Sequence, residues 1–153
     1  MKKLIIFFST ACYLGYSPIV PGTAGSLGGL IIYYLIERFS PEGLSNYSVA
    51  ASIVFITIAG IFAASYSEKY FGTKDSSEIV IDEVAGMLIS LFLIPFKWKY
   101  MIAAFVIFRI MDIIKPFPGR RMEKLSGGTG VMLDDVVAGI YSNILMQILI
   151  KVY

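Results

Sequence analysis

The sequence predicts an all-α fold, a small polytopic helical membrane bundle of about four to five apolar helices with a polar site at one end. Of its 153 residues, 57% are apolar and 16% are charged, whereas soluble domains average about 45–50% and about 25%. Two runs, Leu4–Ile36 and Gly43–Ser67, carry no charge and exceed the roughly 18 residues that a bilayer-crossing helix needs. Strand-like alternation is absent, and the length suits a single domain, residues 1–153. Because several later apolar runs are short, a soluble all-α bundle is the structural alternative.

The first charge-free run is predicted to divide into two segments. Gly15–Gly22 contains two prolines and two glycines, a composition that cannot continue a helix. We expect a short segment near Leu4–Leu14, kept as part of the fold rather than cleaved as a leader. A helix follows near Ser26–Phe39, with Ser26 as its N-cap. A clean span is predicted at about Val49–Tyr66.

Three further apolar stretches are predicted to complete the bundle: Val84–Phe96, Tyr100–Ile114 and Val131–Val152. If successive helices run from one face to the other and back, four polar clusters fall on the same face. These clusters are the Pro/Gly loop, Asp75–Glu83, Arg109–Lys124 and Asp134-Asp135. Charge at membrane depth is tolerated only inside a bundle or beside a wet cavity. The convergence of separated clusters therefore predicts a functional site. The loops of the two faces carry equal numbers of Lys and Arg, so charge alone leaves the membrane orientation undecided.

Composition excludes several kinds of chemistry. The chain has no histidine, which excludes Ser-His-Asp triads, phosphohistidine intermediates and His-ligated zinc. Its single cysteine, Cys12, has no partner for an intramolecular disulfide or a soft-metal site and is expected to be a small apolar filler. A net charge of +2 provides no basic footprint for nucleic acid. Any hydrolysis must therefore use carboxylates, hydroxyls, Lys, Arg and a hard cation.

Hydroxyl groups and cations lie where an anion could bind. Thr23 and Ser26 flank the predicted helix start, whose free N–H groups and dipole favour an anion. A capped helix start with close-packing glycines is the simpler explanation of that segment alone. Arg109, Asp112 and Lys115 recur at i, i+3 and i+6 and so share one helical stripe, which a following proline ends. An intrahelical surface ion pair contributes only a few tenths of a kcal/mol. Arg109, however, lies within an apolar helix, where a charge costs roughly 2.5–3.5 kcal/mol, and we therefore predict a functional stripe.

Five carboxylates are predicted to converge with few fixed cations among them: Asp82, Glu83, Asp112, Asp134 and Asp135. Acids also make good helix starters, but Asp82 and Glu83 come directly before an apolar run. Like charges this close cannot all stay ionised without protonation or a bound cation. Oxygen ligands without His or Cys favour Mg²⁺, Mn²⁺ or Ca²⁺. We therefore predict that all five acids are catalytic and contact a metal directly or through water.

In these clusters the sequence resembles the phosphatidylglycerophosphatase A family of bacterial membrane lipid phosphatases. The resemblance covers most of the chain in four ordered motifs: Ser17–Thr23 with Gly25-Ser26, Ile79–Glu83 with Gly86, Phe108–Asp112 with Lys115-Pro116 and Pro118, and the glycines and acids of Gly127–Gly139. It implies a single domain of this family and Mg²⁺-dependent removal of the terminal phosphate of phosphatidylglycerophosphate, yielding phosphatidylglycerol in phospholipid biosynthesis. It also implies a multi-pass protein of the bacterial inner membrane, with its site on the cytoplasmic side where this phospholipid substrate is made. Oligomeric state is left open.

Two kinds of function are compatible with acids in a membrane bundle. A cation carrier would need polar groups along its whole path or discontinuous helices near the midplane, and Gly43–Ser67 offers little of either. A phosphatase instead needs carboxylates, cations and a Gly/Ser/Thr loop on one face. For this activity we predict a metal-activated water as nucleophile, with Glu83 or Asp135 as general base. Phosphate oxygens would be held by Arg109 and Lys115, with Thr23, Ser26 and helix N–H groups completing the site. A covalent aspartyl-phosphate is the alternative.

Overall fold

The computed structural model describes residues 2–152 and is helical throughout, with no strand in that range. Its helices are α1 (Lys2–Ser9), α2 (Pro21–Phe39), α3 (Ser45–Phe71), α4 (Ile81–Leu91), α5 (Trp98–Ile114), α6 (Gly119–Met122) and α7 (Gly128–Val152). A 3₁₀ turn at Leu14–Tyr16 lies between α1 and α2. The all-α prediction is confirmed.

The short helix α4 forms the centre of the bundle. It packs against α2, α3, α5 and α7, and nine of its 11 residues are buried. Glycines on its neighbours permit very close contact. A methyl group at Gly29 of α2 would lie 2.9 Å from the Val84 carbonyl oxygen, and one at Gly139 of α7 would lie 2.6 Å from that of Gly86. Helix α4 is therefore held backbone against backbone on two sides.

The carboxyl end of α4 is capped by a side chain from α7. The Nδ2 atom of Asn143 donates hydrogen bonds to the backbone carbonyls of Ile89, Ser90 and Phe92, at 3.1, 3.2 and 2.7 Å. A helix end leaves carbonyl groups without partners inside the helix. Asn143 therefore supplies side-chain donors to this partly buried helix end, in addition to the backbone N–H of Phe92, which donates to the Ile89 carbonyl at 3.2 Å.

Two helices are long and apolar enough to cross a membrane among the residues described. They are α3 and α7, with mean hydropathies of 2.1 and 1.4. At 1.5 Å per residue, the 11 residues of α4 extend about 16 Å, roughly half of a hydrocarbon core. The predicted four to five apolar membrane helices are therefore not confirmed. Exposed large apolar side chains, such as Phe55 and Phe62 of α3 and Ile144 of α7, are consistent with a membrane protein.

The predicted start of α2 is wrong. The helix begins at Pro21, five residues before Ser26, and Val20 rather than Ser26 is its N-cap. Proline is well suited to the first helical position because its missing N–H has no helical partner there. Ser26 is buried in the second turn, where its hydroxyl donates to the carbonyl oxygen of Gly22 at 2.9 Å.

Two of the acidic clusters occupy different positions relative to the helices than the sequence suggested. Helix α7 begins at Gly128, so Asp134 and Asp135 lie more than one turn inside it and are buried. Glycine is required at position 128 because a methyl group there would lie 2.7 Å from the backbone nitrogen of Ser65 on α3. The segment 72–80 forms turns rather than a helix. Asp75 therefore shares no helical face with the acids of α4.

Candidate active site

A cavity of about 220 Å³ lies at the end of the bundle where α2 and α4 begin and α5 ends. Seven of the nine site residues predicted from the sequence line it: Asp82, Glu83, Arg109, Asp112, Lys115, Asp134 and Asp135. The remaining lining residues are Pro21, Gly22, Asp75, Ser76, Ser77 and Ile79. Residues from four separated parts of the chain thus meet in one polar cavity.

Three of the carboxylates approach closely enough to share one ion. Asp82 and Glu83, in the first turn of α4, and Asp135 of α7 present oxygen atoms within 4.8 Å of one another. Each also has a buried oxygen without a hydrogen-bond partner: Oδ1 of Asp82, Oε2 of Glu83 and Oδ2 of Asp135. Burying an unpaired charged oxygen is costly, and a hard divalent cation satisfies such oxygens. The donor set therefore fits an ion such as Mg²⁺.

Arg109 is fixed on one side of the cavity by two partners. Its Nη1 atom lies 2.8 Å from Oδ2 of Asp112, one turn further along α5. The same nitrogen donates a 3.3 Å hydrogen bond to the Ser26 hydroxyl, which in turn donates to the Gly22 carbonyl. Ser26 does not line the cavity but contacts the guanidinium group that does.

Lys115 supplies a second cation from a different backbone position than the sequence suggested. Helix α5 ends at Ile114, as predicted, and Lys115 has a left-handed backbone with φ of 49°. Lys115 therefore does not continue the helical stripe of Arg109 and Asp112. Its Nζ lies 2.7 Å from Oδ2 of Asp134 and 3.2 Å from Oε1 of Glu123. Burial by itself lowers the pKa of Lys115, but its hydrogen bonds and the charges of Asp134 and Glu123 outweigh burial and raise it. Lys115 is therefore a permanent cation at neutral pH.

Gly22 is a site residue that sequence reasoning missed. A Cβ atom there would collide with Oε1 of Glu83 and would lie 3.2 Å from both terminal nitrogens of Arg109. The absence of a side chain allows an acid from α4 and a cation from α5 to meet against the first turn of α2. The sequence analysis included Gly22 in the Pro/Gly loop and in the Ser17–Thr23 motif but did not single it out as a site residue.

Two acids were also missed, and one predicted contact lies elsewhere. Asp75 lines the cavity from the 72–80 loop, and its burial raises its pKa although Lys115 opposes the rise. Both acids belonged to recognised polar clusters, Asp75–Glu83 and Arg109–Lys124, but neither was singled out as a site residue, and only the folded chain places Glu123 beside Lys115. Thr23 is half-buried on α2 and does not line the cavity.

Fold and site together describe a helical protein, with two helices long and apolar enough to cross a membrane among the residues described, whose buried carboxylates and paired cations suit the hydrolysis of phosphate esters. The sequence profile of a family described as phosphatidylglycerophosphatase A matches residues 7–150. The chain belongs to this family, which confirms the resemblance found in the sequence.

Two of three similar proteins carry the family's name, and the third is described as another lipid phosphatase. A Bacteroides thetaiotaomicron protein, provisionally described as a phosphatidylinositol-3-phosphatase, is 43% identical over 148 residues, covering 95% of this chain and 92% of the relative. The phosphatidylglycerophosphatase A of Escherichia coli K12 is 42% identical over 130 residues, covering 84% and 73%. That of Haemophilus influenzae Rd is 38% identical over 128 residues, covering 82% and 76%. No solved structure matches the chain.

Proposed function

We propose that this protein hydrolyses the terminal phosphomonoester of phosphatidylglycerophosphate to phosphatidylglycerol, in phospholipid biosynthesis and with Mg²⁺ as cofactor. The observation that carries the proposal is the grouping of three unpaired buried carboxylates with two cations in one cavity. Family membership and two relatives named phosphatidylglycerophosphatase A support the choice of substrate.

In this proposal the acids divide into two groups, although Asp134, whose Oδ2 contacts Lys115, also has a buried Oδ1 without a partner. Asp82, Glu83 and Asp135 hold the metal through the oxygens that have no other partner. Bound Mg²⁺ supplies charge neutralisation for the phosphoryl group and lowers the pKa of a water in the site. Asp112 and Asp134 orient the two cations, and we propose that they reach the metal site through water. All five acids remain proposed catalytic residues.

The cations bind the phosphate. A guanidinium group can hold two phosphoryl oxygens at once, and Arg109 is preset for this by Asp112 and Ser26. Lys115, which is paired with Asp134 rather than Asp112, supplies a second point charge in the cavity. Ser26 would act on the substrate through Arg109, and Thr23 remains a proposed contact from the first turn of α2. Glu83 or Asp135 would take the proton of the attacking water. Attack by an Asp carboxylate is the covalent alternative.

We also propose a multi-pass location in the bacterial inner membrane, with the cavity on the cytoplasmic side. The family resemblance supports this location, and so do the lengths of α3 and α7. These two helices meet near the site, where the backbone N–H of Gly128 donates to the Ser65 hydroxyl at 2.8 Å. The end of α3 and the start of α7 therefore lie at the same face as the cavity.

A second candidate substrate comes from the Bacteroides relative. Its provisional description as a phosphatidylinositol-3-phosphatase names another membrane lipid that carries a phosphomonoester. The cavity chemistry, a metal site with two cations, is the same for both lipids. The headgroup attached to the phosphate therefore has to be decided by assay.

The test measures phosphate release from each lipid by purified protein in detergent micelles. We expect Mg²⁺-dependent release from phosphatidylglycerophosphate, its loss with a chelator and its return when Mg²⁺ is restored. Asp82→Asn keeps the size of the side chain but weakens the metal site, and should lower kcat/KM about 100-fold or more. Glu42→Gln, an exposed acid remote from the cavity, is the matched control. Full activity with the chelator would contradict the metal role, and release from the inositol lipid alone would favour the second candidate.

A further inference from the structure

A second cavity, of about 320 Å³, is an apolar groove bounded by α1, α2, α3 and α4. Its wall is built from aliphatic and aromatic side chains, with one cysteine and one glycine, and includes Phe7, Cys12, Gly28, Ile31, Ile81 and Val84. The groove is open to the surroundings of the protein, since Phe7 is 40% exposed and Ile31 is 56% exposed. An apolar opening of this kind on a membrane-type helix bundle can admit hydrocarbon but offers no partner to a polar ligand.

The groove and the candidate active site are separate cavities, but two helices, α2 and α4, contribute to the walls of both. On α4, Ile81 and Val84 line the groove while Asp82 and Glu83, between them in sequence, line the polar cavity. On α2, Gly22 lines the polar cavity and Gly28 lines the groove. Six residues of α-helix extend about 9 Å. Along α2 the residues that line the two cavities are therefore about 9 Å apart, and on α4 they are neighbours in sequence.

We propose that this groove receives an acyl chain of the lipid whose phosphomonoester occupies the polar cavity. The inference rests on the proposed function, because it requires a lipid substrate. A lipid phosphomonoester joins an apolar chain to a phosphate dianion through a polar headgroup. The polar cavity suits the phosphate, and the neighbouring apolar groove suits the chain.

Other apolar depressions on the molecule lack this connection. One is formed by α1 and α3, around Leu4 and Phe62, and another by α3 alone, around Val54 and Ile58. Neither includes a residue from the helices that carry the site. Within a bilayer, burying a chain in a groove gains little hydrophobic free energy, because lipid tails are already in an apolar medium. The groove therefore acts by positioning the phosphate, and displacing a reacting group by about 1 Å can reduce the rate about 100-fold.

The experiment compares two substrates, diacyl phosphatidylglycerophosphate and its deacylated, water-soluble headgroup. The readout is the chain preference, defined as kcat/KM for the diacyl lipid divided by that for the headgroup. Ile31→Trp places a bulky ring in the groove and should lower the chain preference at least tenfold. Ile58→Trp is the matched control, because Ile58 is 55% exposed on α3 and lies outside the groove. It should keep the wild-type preference.

A chemical modification gives the same test without a folding step. Cys12 is the single cysteine of the chain, is exposed and lines the groove. Reaction of the folded protein with N-(1-pyrenyl)maleimide should lower the chain preference as Ile31→Trp does. The Cys12→Ala protein treated with the same reagent should keep it.

The outcomes separate this inference from the function on which it rests. Wild-type protein that releases phosphate from neither substrate contradicts the proposed function, and the inference falls with it. Active wild-type protein whose chain preference survives both the Ile31→Trp change and the Cys12 modification shows that ordinary membrane lipid fills the groove, and overturns the inference alone. An equal loss of activity on both substrates would also overturn it, since that result indicates a distorted site.

Discussion

Replacement of Gly22 by alanine should separate the stability of this fold from its activity. The added methyl group would collide with Oε1 of Glu83 and crowd both terminal nitrogens of Arg109. These atoms are the ends of flexible side chains, so they can withdraw without moving the backbone. An ordinary carbon contact is about 3.5–4.0 Å, and the Glu83 carboxylate must retreat by about 1 Å to reach it.

The size of the effect follows from that displacement. A misplacement of about 1 Å at a reacting centre costs roughly 100-fold in rate, so kcat/KM for phosphatidylglycerophosphate should fall by about that factor. Stability should not fall, since alanine is favoured over glycine in a helix by up to about 1 kcal/mol. The assay pairs Mg²⁺-dependent phosphate release with thermal unfolding of the same preparation.

Gly119 provides the matched control for this substitution. A methyl group there would meet nothing closer than 3.7 Å, at Cγ1 of Val137, so Gly119→Ala should keep kcat/KM near the wild-type value. Full activity of Gly22→Ala would refute the reasoning, because the positions of Glu83 and Arg109 would then be unimportant. Equal losses in both variants would show that the effect belongs to glycine replacement in general.

Two further substitutions test contacts beyond the metal group. Asn143→Ala removes three hydrogen bonds to the end of α4 and should lower the free energy of unfolding by about 1–3 kcal/mol while kcat/KM stays near wild type; an unchanged melting temperature would contradict the capping role. Lys115→Met deprives the buried Asp134 of its 2.7 Å partner. The free energy of unfolding, measured by thermal unfolding, should fall by about 1–3 kcal/mol, and kcat/KM for phosphate release should fall at least tenfold. Lys115→Arg keeps the charge and should recover the stability, and wild-type activity of Lys115→Met would exclude this lysine from phosphate binding.

The chemistry of the cavity was largely predictable because it depends on residue type and chain order. Asp82 and Glu83 were recognisable as acids placed directly before an apolar run, where neither a solvated face nor a helix start explains both. The end of α5 was recognisable because the residue before a proline avoids the helical conformation. These properties are local, and each can be recognised from a few consecutive residues.

What the sequence left open depends on contacts between distant segments. Pro21 was interpreted as part of a helix break, although proline also suits a first helical turn. Glycine at position 128 was interpreted as a turn residue, whereas α3 packs against it closely enough to exclude a side chain. Glu123 was recognisable only as a member of the Arg109–Lys124 cluster, because its own role arises from its 3.2 Å contact with Lys115. The predicted four to five apolar membrane helices are not confirmed, and α4 in particular is apolar but only 11 residues long.

The close contacts around α4 determine which parts of the site can move. Rotating or sliding this helix would drive its backbone into α2 at Gly29 and into α7 at Gly139, where no side chain can give way. The backbone that carries Asp82 and Glu83 is therefore fixed before any substrate arrives. Adjustment of the backbone to an incoming phosphate falls to Asp75 and Lys115, which project from irregular segments between helices. Opening and closing of the site should accordingly appear as motion of those segments against a stationary α4.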